Sequence, residues 1–297
     1  MPRPTRIQYP HAFYHVMNRG RGRQRIFHGE AYYQAFLKTL DESSRRFDAV
    51  IHAYCFMRNH YHLLLETPRA NLDRIMRHVN GIYTQRYNRL KRTDGPLFRG
   101  RYKAIVVQKE AYLLSLSRYI HRNPVEGTGA SSPGLDRYRW SSYLAYINRA
   151  KAERWLARDM TYQMLGHRHP YAGYKLYVEQ GVDAELRAVY GKENLSSVLG
   201  DTVFKETLAG KHAQLTRSGG LPKAFSNRPL VRDILHSVAT RFNVTVSSLT
   251  HRQVGRPAAN LPRKFAMYCC QQLGDVPLKD IARVFGLTHD GSVSQSV

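Results

Sequence analysis

Cysteine is scarce in this chain: only Cys55, Cys269 and Cys270 occur in 297 residues. They are too few and too poorly spaced for a zinc module or a disulfide framework. Carboxylates are scarce as well, with 22 Asp plus Glu against 46 Lys plus Arg and a formal charge of +24. That balance favours a polyanion as partner, most simply nucleic acid, with a membrane surface as the blander alternative. Long apolar runs are missing too. No stretch is long enough to span a bilayer, and the N-terminus has no signal-peptide core. These absences predict a reduced, cytoplasmic, nucleoid-associated protein of bacterial style. The apolar share of 42% is that of a globular chain, and the length allows two or three domains.

The charge is uneven. Residues 1–125 hold 23 of the Lys and Arg but only 8 of the Asp and Glu. Within that half, Arg19, Arg21, Arg23 and Arg25 are interleaved with Gly20 and Gly22, which let backbone approach a phosphate chain. A solvated charged loop is the alternative. Residues 97–107 mix Phe98, Arg99, Arg101, Tyr102 and Lys103, a pattern suited to single-stranded nucleic acid or to an edge strand kept soluble.

Two stretches carry candidate chemistry. If residues 60–66 form a strand, His60 and His62 point the same way and could converge on one divalent ion. Tyr61, Leu63 and Leu65 then pack on a core, making the strand a half-buried platform. Ordinary hydrogen-bonded histidines remain the other reading of the pair. A helix expected over 109–122 places Ser115, Tyr119 and Asn123 on one face, with Asn123 at its fraying end before Pro124. Tyr119 is a phenol able to attack a phosphodiester, and Asn123 offers an amide oxygen as a third metal ligand. Tyr112, nearly two turns earlier, is its competitor as nucleophile. Glu66, on the ligand side of the strand, is either a support for a histidine or a surface carboxylate.

The spacing further predicts strands over 11–18, 49–57 and 97–107 and helices over 30–46 and 71–90, the latter capped by Asn71. The order strand, helix, strand, strand, helix, strand is that of an α+β, ferredoxin-like split βαβ domain: an antiparallel sheet with helices on one face. Domain bounds are expected at 1–147, 148–220 and 221–297, the middle region being all-α and the last a helix-turn-helix module. Turns are expected at 130–134 and a linker at 216–222.

Asn59-His60-Tyr61-His62, followed by Tyr119-Ile120-His121-Arg122-Asn123-Pro124, resembles the single-tyrosine HUH transposases. Within the IS200-like transposase family the likeness is to the branch associated with repetitive extragenic palindromes (REP). It covers roughly residues 5–145, including Asn18-Arg19-Gly20 and Tyr138-Arg139-Trp140-Ser141-Ser142-Tyr143. The resemblance implies nicking and rejoining of single-stranded DNA beside a hairpin through a 5′-phosphotyrosine. It makes His60, His62 and Asn123 ligands of Mg²⁺ or Mn²⁺ and Tyr119 the nucleophile. Two other readings stay open: a DNA-binding regulator with an unused nuclease site, and a metallonuclease that uses water.

The last block, with Leu261-Pro262-Arg263-Lys264 and Ala266-Met267-Tyr268, resembles the C-terminal DNA-binding domain of the bacterial chromosomal replication initiator. That likeness implies contact with duplex DNA, with Arg263 and Lys264 as candidate contacts. Val297 falls only a few residues into the expected recognition helix, so the module is expected to be short.

Overall fold

The computed structural model describes residues 6–126, 134–192, 195–217, 229–251, 260–274, 276–289 and 291–296. The chain divides into two units, 1–224 and 225–297. At the centre of the first unit lies β1 (Ala12–Arg19), whose alternation puts Tyr14 and Val16 on one face and Phe13, His15 and Met17 on the other. It is followed by α1 (Glu30–Phe47), β2 (Val50–Met57), β3 (His60–Thr67), α2 (Leu72–Lys91), β4 (Lys103–Val107) and α3 (Lys109–Glu126). Strand β1 sits between β3 and β4, antiparallel to both, and β2 flanks β3. This is the expected split βαβ arrangement.

Helices α1 and α2 cover one face because each carries one apolar stripe. Tyr33, Phe36, Leu40 and Phe47 come from α1; Leu72, Ile75, Met76, Val79 and Tyr83 come from α2. Both pack on Tyr14, Val16, Tyr61, Leu63 and Leu65. The opposite face is covered as well, which the sequence reading did not foresee. There α3 lays Leu113, Leu116 and Ile120 on Phe13, Ala53, Cys55, Leu64 and Ile105. Strand β3 is therefore enclosed on both sides rather than half-buried.

Several boundaries differ from expectation. The strand expected from residue 97 begins only at Lys103, since Phe98 makes a single bridge to Gly20 and the residues between are irregular. Helix α3 does not stop before Pro124 but carries it inside its last turn, so Asn123 is helical. Asn71 precedes α2 without a side-chain cap; its Nδ2 donates instead to the Phe47 carbonyl and ties the two helices' ends together.

The middle region adds α4 (Tyr143–Tyr146), α5 (Asp159–Leu165), α6 (Pro170–Glu179), α7 (Ala184–Tyr190), β5 (Val198–Leu199) and α8 (Thr202–Arg217). It lies in the first unit. The region is not all-α as expected: β5 pairs parallel to β4 and lengthens the sheet. Most of the turn expected at 130–134 and of the linker at 216–222 falls outside the described residues.

The second unit holds α9 (Val231–Phe242), α10 (Val246–Thr250), α11 (Leu261–Gln272), α12 (Leu278–Val284) and α13 (Gly291–Ser296) around Leu235, Val238, Leu249, Met267, Cys270, Ile281 and Phe285. All three cysteines are free and buried. Among the described residues no helix is long and apolar enough to cross a membrane.

Candidate active site

Register decides where the histidines go. The two-residue turn Arg58-Asn59 joins β2 to β3, and His60 and His62 pair with Arg19 and Met17 of β1. Residues opposite one another share a face, so both imidazoles emerge on the α3 side. Their rings lie 5.0 Å apart at 78°. His60 Nδ1 is 2.7 Å from Asn59 Oδ1, which fixes the proton on Nδ1 and leaves Nε2 open. His62 Nδ1 is 2.9 Å from Nε2 of His15, a β1 residue diagonal to it. His15 Nδ1 in turn is 2.6 Å from the hydroxyl of Tyr190 at the end of α7.

Burial makes this a neutral cluster. It lowers His60 to about 4, helped by the Arg19 charge, and holds His62 well below the usual histidine range. His15 is lowered to about 3 by burial. An imidazole that stays unprotonated is in the form a metal ion needs.

Tyr119 of α3 comes to this cluster. Its ring stands edge-on to His62 at 6.3 Å and to His15 at 5.9 Å, and stacks on Tyr190 at 4.3 Å. Burial, with the nearby Glu126 charge, raises its phenol to about 12. Tyr112 is elsewhere: its hydroxyl donates to Glu185. Of the two candidate nucleophiles, only Tyr119 faces the histidines.

The helix carrying Tyr119 is held from behind. His121 is fully buried, with Nδ1 2.7 Å from the Tyr174 hydroxyl and Nε2 2.6 Å from Ser142 Oγ. Ser142 Oγ accepts from the Tyr54 amide of β2, so the network bolts α3 to the sheet. On the other side Arg118 pairs with Asp183 at the start of α7.

Asn123 Nδ2 donates to the Tyr119 carbonyl at 2.9 Å, and its Oδ1 accepts no hydrogen bond among the described residues. No three His, Cys, Asp or Glu side chains gather as a metal site among the described residues. Two neutral imidazoles 5.0 Å apart fit a single divalent ion completed by water, His62 in the tautomer that leaves its Nε2 bare; Asn123 lies one turn beyond Tyr119 and makes no hydrogen bond to either histidine. Glu66 takes no part. Its carboxylate holds His11 and His52, farther along the sheet.

Beside the histidines runs a basic rim. The backbone of residues 20–27 is pinned to the β2–β3 turn, with Gly20 N donating to Asn59 O and Ile26 N to Arg58 O. Gly20 is required there, because a Cβ would meet the Gln24 carbonyl at 2.3 Å. Arg19, Arg21, Arg23 and Arg25 are all exposed, as are Arg99, Arg101 and Lys103. A cleft of about 880 Å³ opens between this loop and the end of α2, lined by Arg21, Gln24, Tyr87, Lys91 and Arg92.

Two candidate DNA contacts do not fit that role. Tyr102 is buried, its ring covered by the Arg6 guanidinium at 3.9 Å, so no base can stack on it. Arg263 is buried under α12, donating to the Leu249, His251 and Phe285 carbonyls. It staples the second unit together. Lys264, next to it, is exposed. Sequence reasoning missed His15 and Tyr190. His15 shares the parity of the ligand face, but only the β1–β3 register shows that; Tyr190 had no signal in the sequence.

Residues 8–123 match the family model for IS200-like transposases, and residues 231–297 that for the bacterial DnaA helix-turn-helix. Residues 8–123 are thus similar to IS200-like transposases and residues 231–297 to the DnaA helix-turn-helix. Among solved structures it is similar to a REP-associated tyrosine transposase bound to a REP hairpin, at 15% identity and a TM-score of 0.42, covering 54% of this chain and 94% of that one. It is also similar to a putative transposase from Deinococcus radiodurans R1, at 18% identity and a TM-score of 0.29, covering 41% and 97%. No curated protein matches the chain.

Proposed function

We propose that this chain nicks and rejoins single-stranded DNA beside hairpins, using Tyr119 as the nucleophile. The observation that carries the reading is Tyr119 standing edge-on to His62 at 6.3 Å, with His60 and His62 5.0 Å apart. His60 and His62 would hold a divalent ion through their Nε2 atoms, with Asn123 Oδ1 as third donor. The chemistry such an ion supplies is Lewis-acid polarisation of the scissile phosphate. Imidazole donors suit Mn²⁺ better than Mg²⁺.

The rest falls to side chains of the protein. Arg19, Arg21, Arg23, Arg25, Arg99, Arg101 and Lys103 neutralise the DNA backbone and orient the strand across the histidine face. Tyr119 Oη attacks phosphorus while its proton leaves. At a pKa of about 12 the phenol is protonated at neutral pH, so deprotonation accompanies attack. The P–O3′ bond breaks, giving a free 3′-OH and a 5′-phosphotyrosine. A second 3′-OH attacks that ester and releases Tyr119, so resealing needs no nucleotide. Hairpin preference follows from the motif resemblance, and the helix-turn-helix module would add duplex contact through Lys264.

The test is a 3′-labelled single-stranded hairpin substrate with Mn²⁺. The expected result is a protein-linked label that maps to Tyr119, is lost in Tyr119→Phe and persists in Tyr112→Phe. Cleavage by Tyr119→Phe at the normal rate would point to water as nucleophile and end this reading.

A further inference from the structure

Tyr190 belongs to neither matched family segment, since it lies between residues 123 and 231. Yet its ring stacks on Tyr119 at 4.3 Å and 16°, and its hydroxyl is 2.6 Å from His15 Nδ1. Its helix, α7, is anchored on α3 by two further contacts, Arg118 with Asp183 and Tyr112 with Glu185. The placement of Tyr190 is therefore built, not incidental.

The contacts form a column: Tyr190 hydroxyl, His15 Nδ1, His15 Nε2, His62 Nδ1. Each contact holds one proton, and each neutral ring carries one N–H, so the column has two self-consistent arrangements. In one, Tyr190 donates to His15, His15 donates to His62 Nδ1, and the His62 proton sits on Nε2, blocking it. In the other, His62 Nδ1 donates to His15 Nε2, His15 Nδ1 donates to the Tyr190 oxygen, and His62 Nε2 is bare. Only the second can bind a metal. Tyr190 is suited to both because a phenol donates or accepts.

We propose that His15 and Tyr190 are positioning residues that hold His62 with Nε2 open to the metal, so that a helix from the middle region completes the active centre. The inference rests on His62 being a metal ligand. It assigns α7 a part in the proposed nicking chemistry, where a partner one shell behind the ligand fixes the tautomer and ring orientation.

The experiment is calorimetric titration of the full-length protein with Mn²⁺, without DNA, for wild type, His15→Leu, His15→Gln and Tyr190→Phe, with thermal melting as the check on folding. Removing the partner in His15→Leu should weaken Mn²⁺ binding by about 10–100-fold. His15→Gln should recover part of it, because its amide oxygen can accept from His62 Nδ1. Tyr190→Phe should weaken binding by a smaller factor, roughly threefold to tenfold. If His15→Leu does not fold, Tyr190→Phe and His15→Gln carry the test. Mn²⁺ affinity within about twofold of wild type in every folded variant would overturn the positioning role and leave the proposed nicking activity standing. Complete loss in His15→Leu with no recovery in His15→Gln would make His15 a ligand and overturn it too. A wild type that binds no Mn²⁺ would end both proposals.

Discussion

One sheet carries two unlike faces. Under α1 and α2, Phe36 meets Phe27, Phe56 and Tyr83 edge to face and Tyr61 at a tilt, and the buried hydroxyls of Tyr61 and Tyr83 donate to Asn80 Oδ1 and the Ile26 carbonyl. Under α3, alternate residues of the same strands bring His15, His60 and His62 beneath Tyr119. Strand β3 feeds both: residues 61, 63 and 65 to the core, 60 and 62 to the site. Side chains on a strand repeat every two residues, so a slip of one would drive the histidines into the aromatic layer. The aromatic face is thus what holds the chemical face in register. Packing on one side sets geometry on the other.

The comparison can be broken most sharply with neighbouring residues. His60→Ala should cut nicking at least about a hundredfold while unfolding changes by about 1 kcal/mol or less, because the ring is only half-buried. Tyr61→Ala should cost about 3–5 kcal/mol by opening a cavity among Phe36, Leu63 and Phe98. Urea unfolding followed by a nicking assay of whatever remains folded separates the two. Equal destabilisation by both variants would mean the faces are not divided as described.

Much of this was legible in the sequence because alternation and helical stripes are local signals. The pattern of residues 60–66 placed His60 and His62 together, and the one-turn spacing of Tyr119 and Asn123 put phenol and amide on one face of α3. The second covering of the sheet was not legible, since an apolar helix face does not say which side of a sheet it meets. Tyr102 and Arg263 misled for a related reason. A basic or aromatic residue in a basic stretch looks like a nucleic-acid contact, but whether it is exposed depends on distant partners, Arg6 for one and the Phe285 carbonyl for the other. His15 and Tyr190 meet across 175 positions, beyond the reach of any local pattern.

Arg263 and Lys264 repeat the contrast in the second unit, one turned in and one turned out. Arg263→Ala leaves the Leu249, His251 and Phe285 carbonyls without their donor, two of those bonds being fully buried. A loss of about 2–4 kcal/mol in the stability of that unit is expected, since charged donors to buried acceptors are among the stronger hydrogen bonds. Lys264→Ala should leave stability within about 0.5 kcal/mol and weaken duplex binding, with a shallower dependence on salt. Filter binding at several salt concentrations, beside thermal melting, checks both. An Arg263→Ala protein that melts normally but loses DNA would restore Arg263 as a contact.

The smallest expected effect concerns the polar layer behind α3, which belongs to neither face. Burial lowers His121 from 6.5 to about 3, with its two ring nitrogens facing Tyr174 and Ser142 and no carboxylate to support a charge. Below pH 6.5 the unfolded chain gains a proton at this histidine while the folded chain does not. Its contribution is therefore fully present above pH 6.5 and is lost as pH falls toward the folded value. Between pH 6.5 and pH 5, one histidine that stays neutral when folded costs about 2 kcal/mol, at 1.36 kcal/mol per unit. His121→Gln keeps a hydrogen-bonding side chain and removes the titration. The variant should be less stable than wild type at pH 7.5, yet the gap should narrow by about 2 kcal/mol at pH 5. Urea midpoints at the two pH values read this directly. A gap that stays constant would show that His121 is protonated within the fold and that the layer behind Tyr119 admits charge.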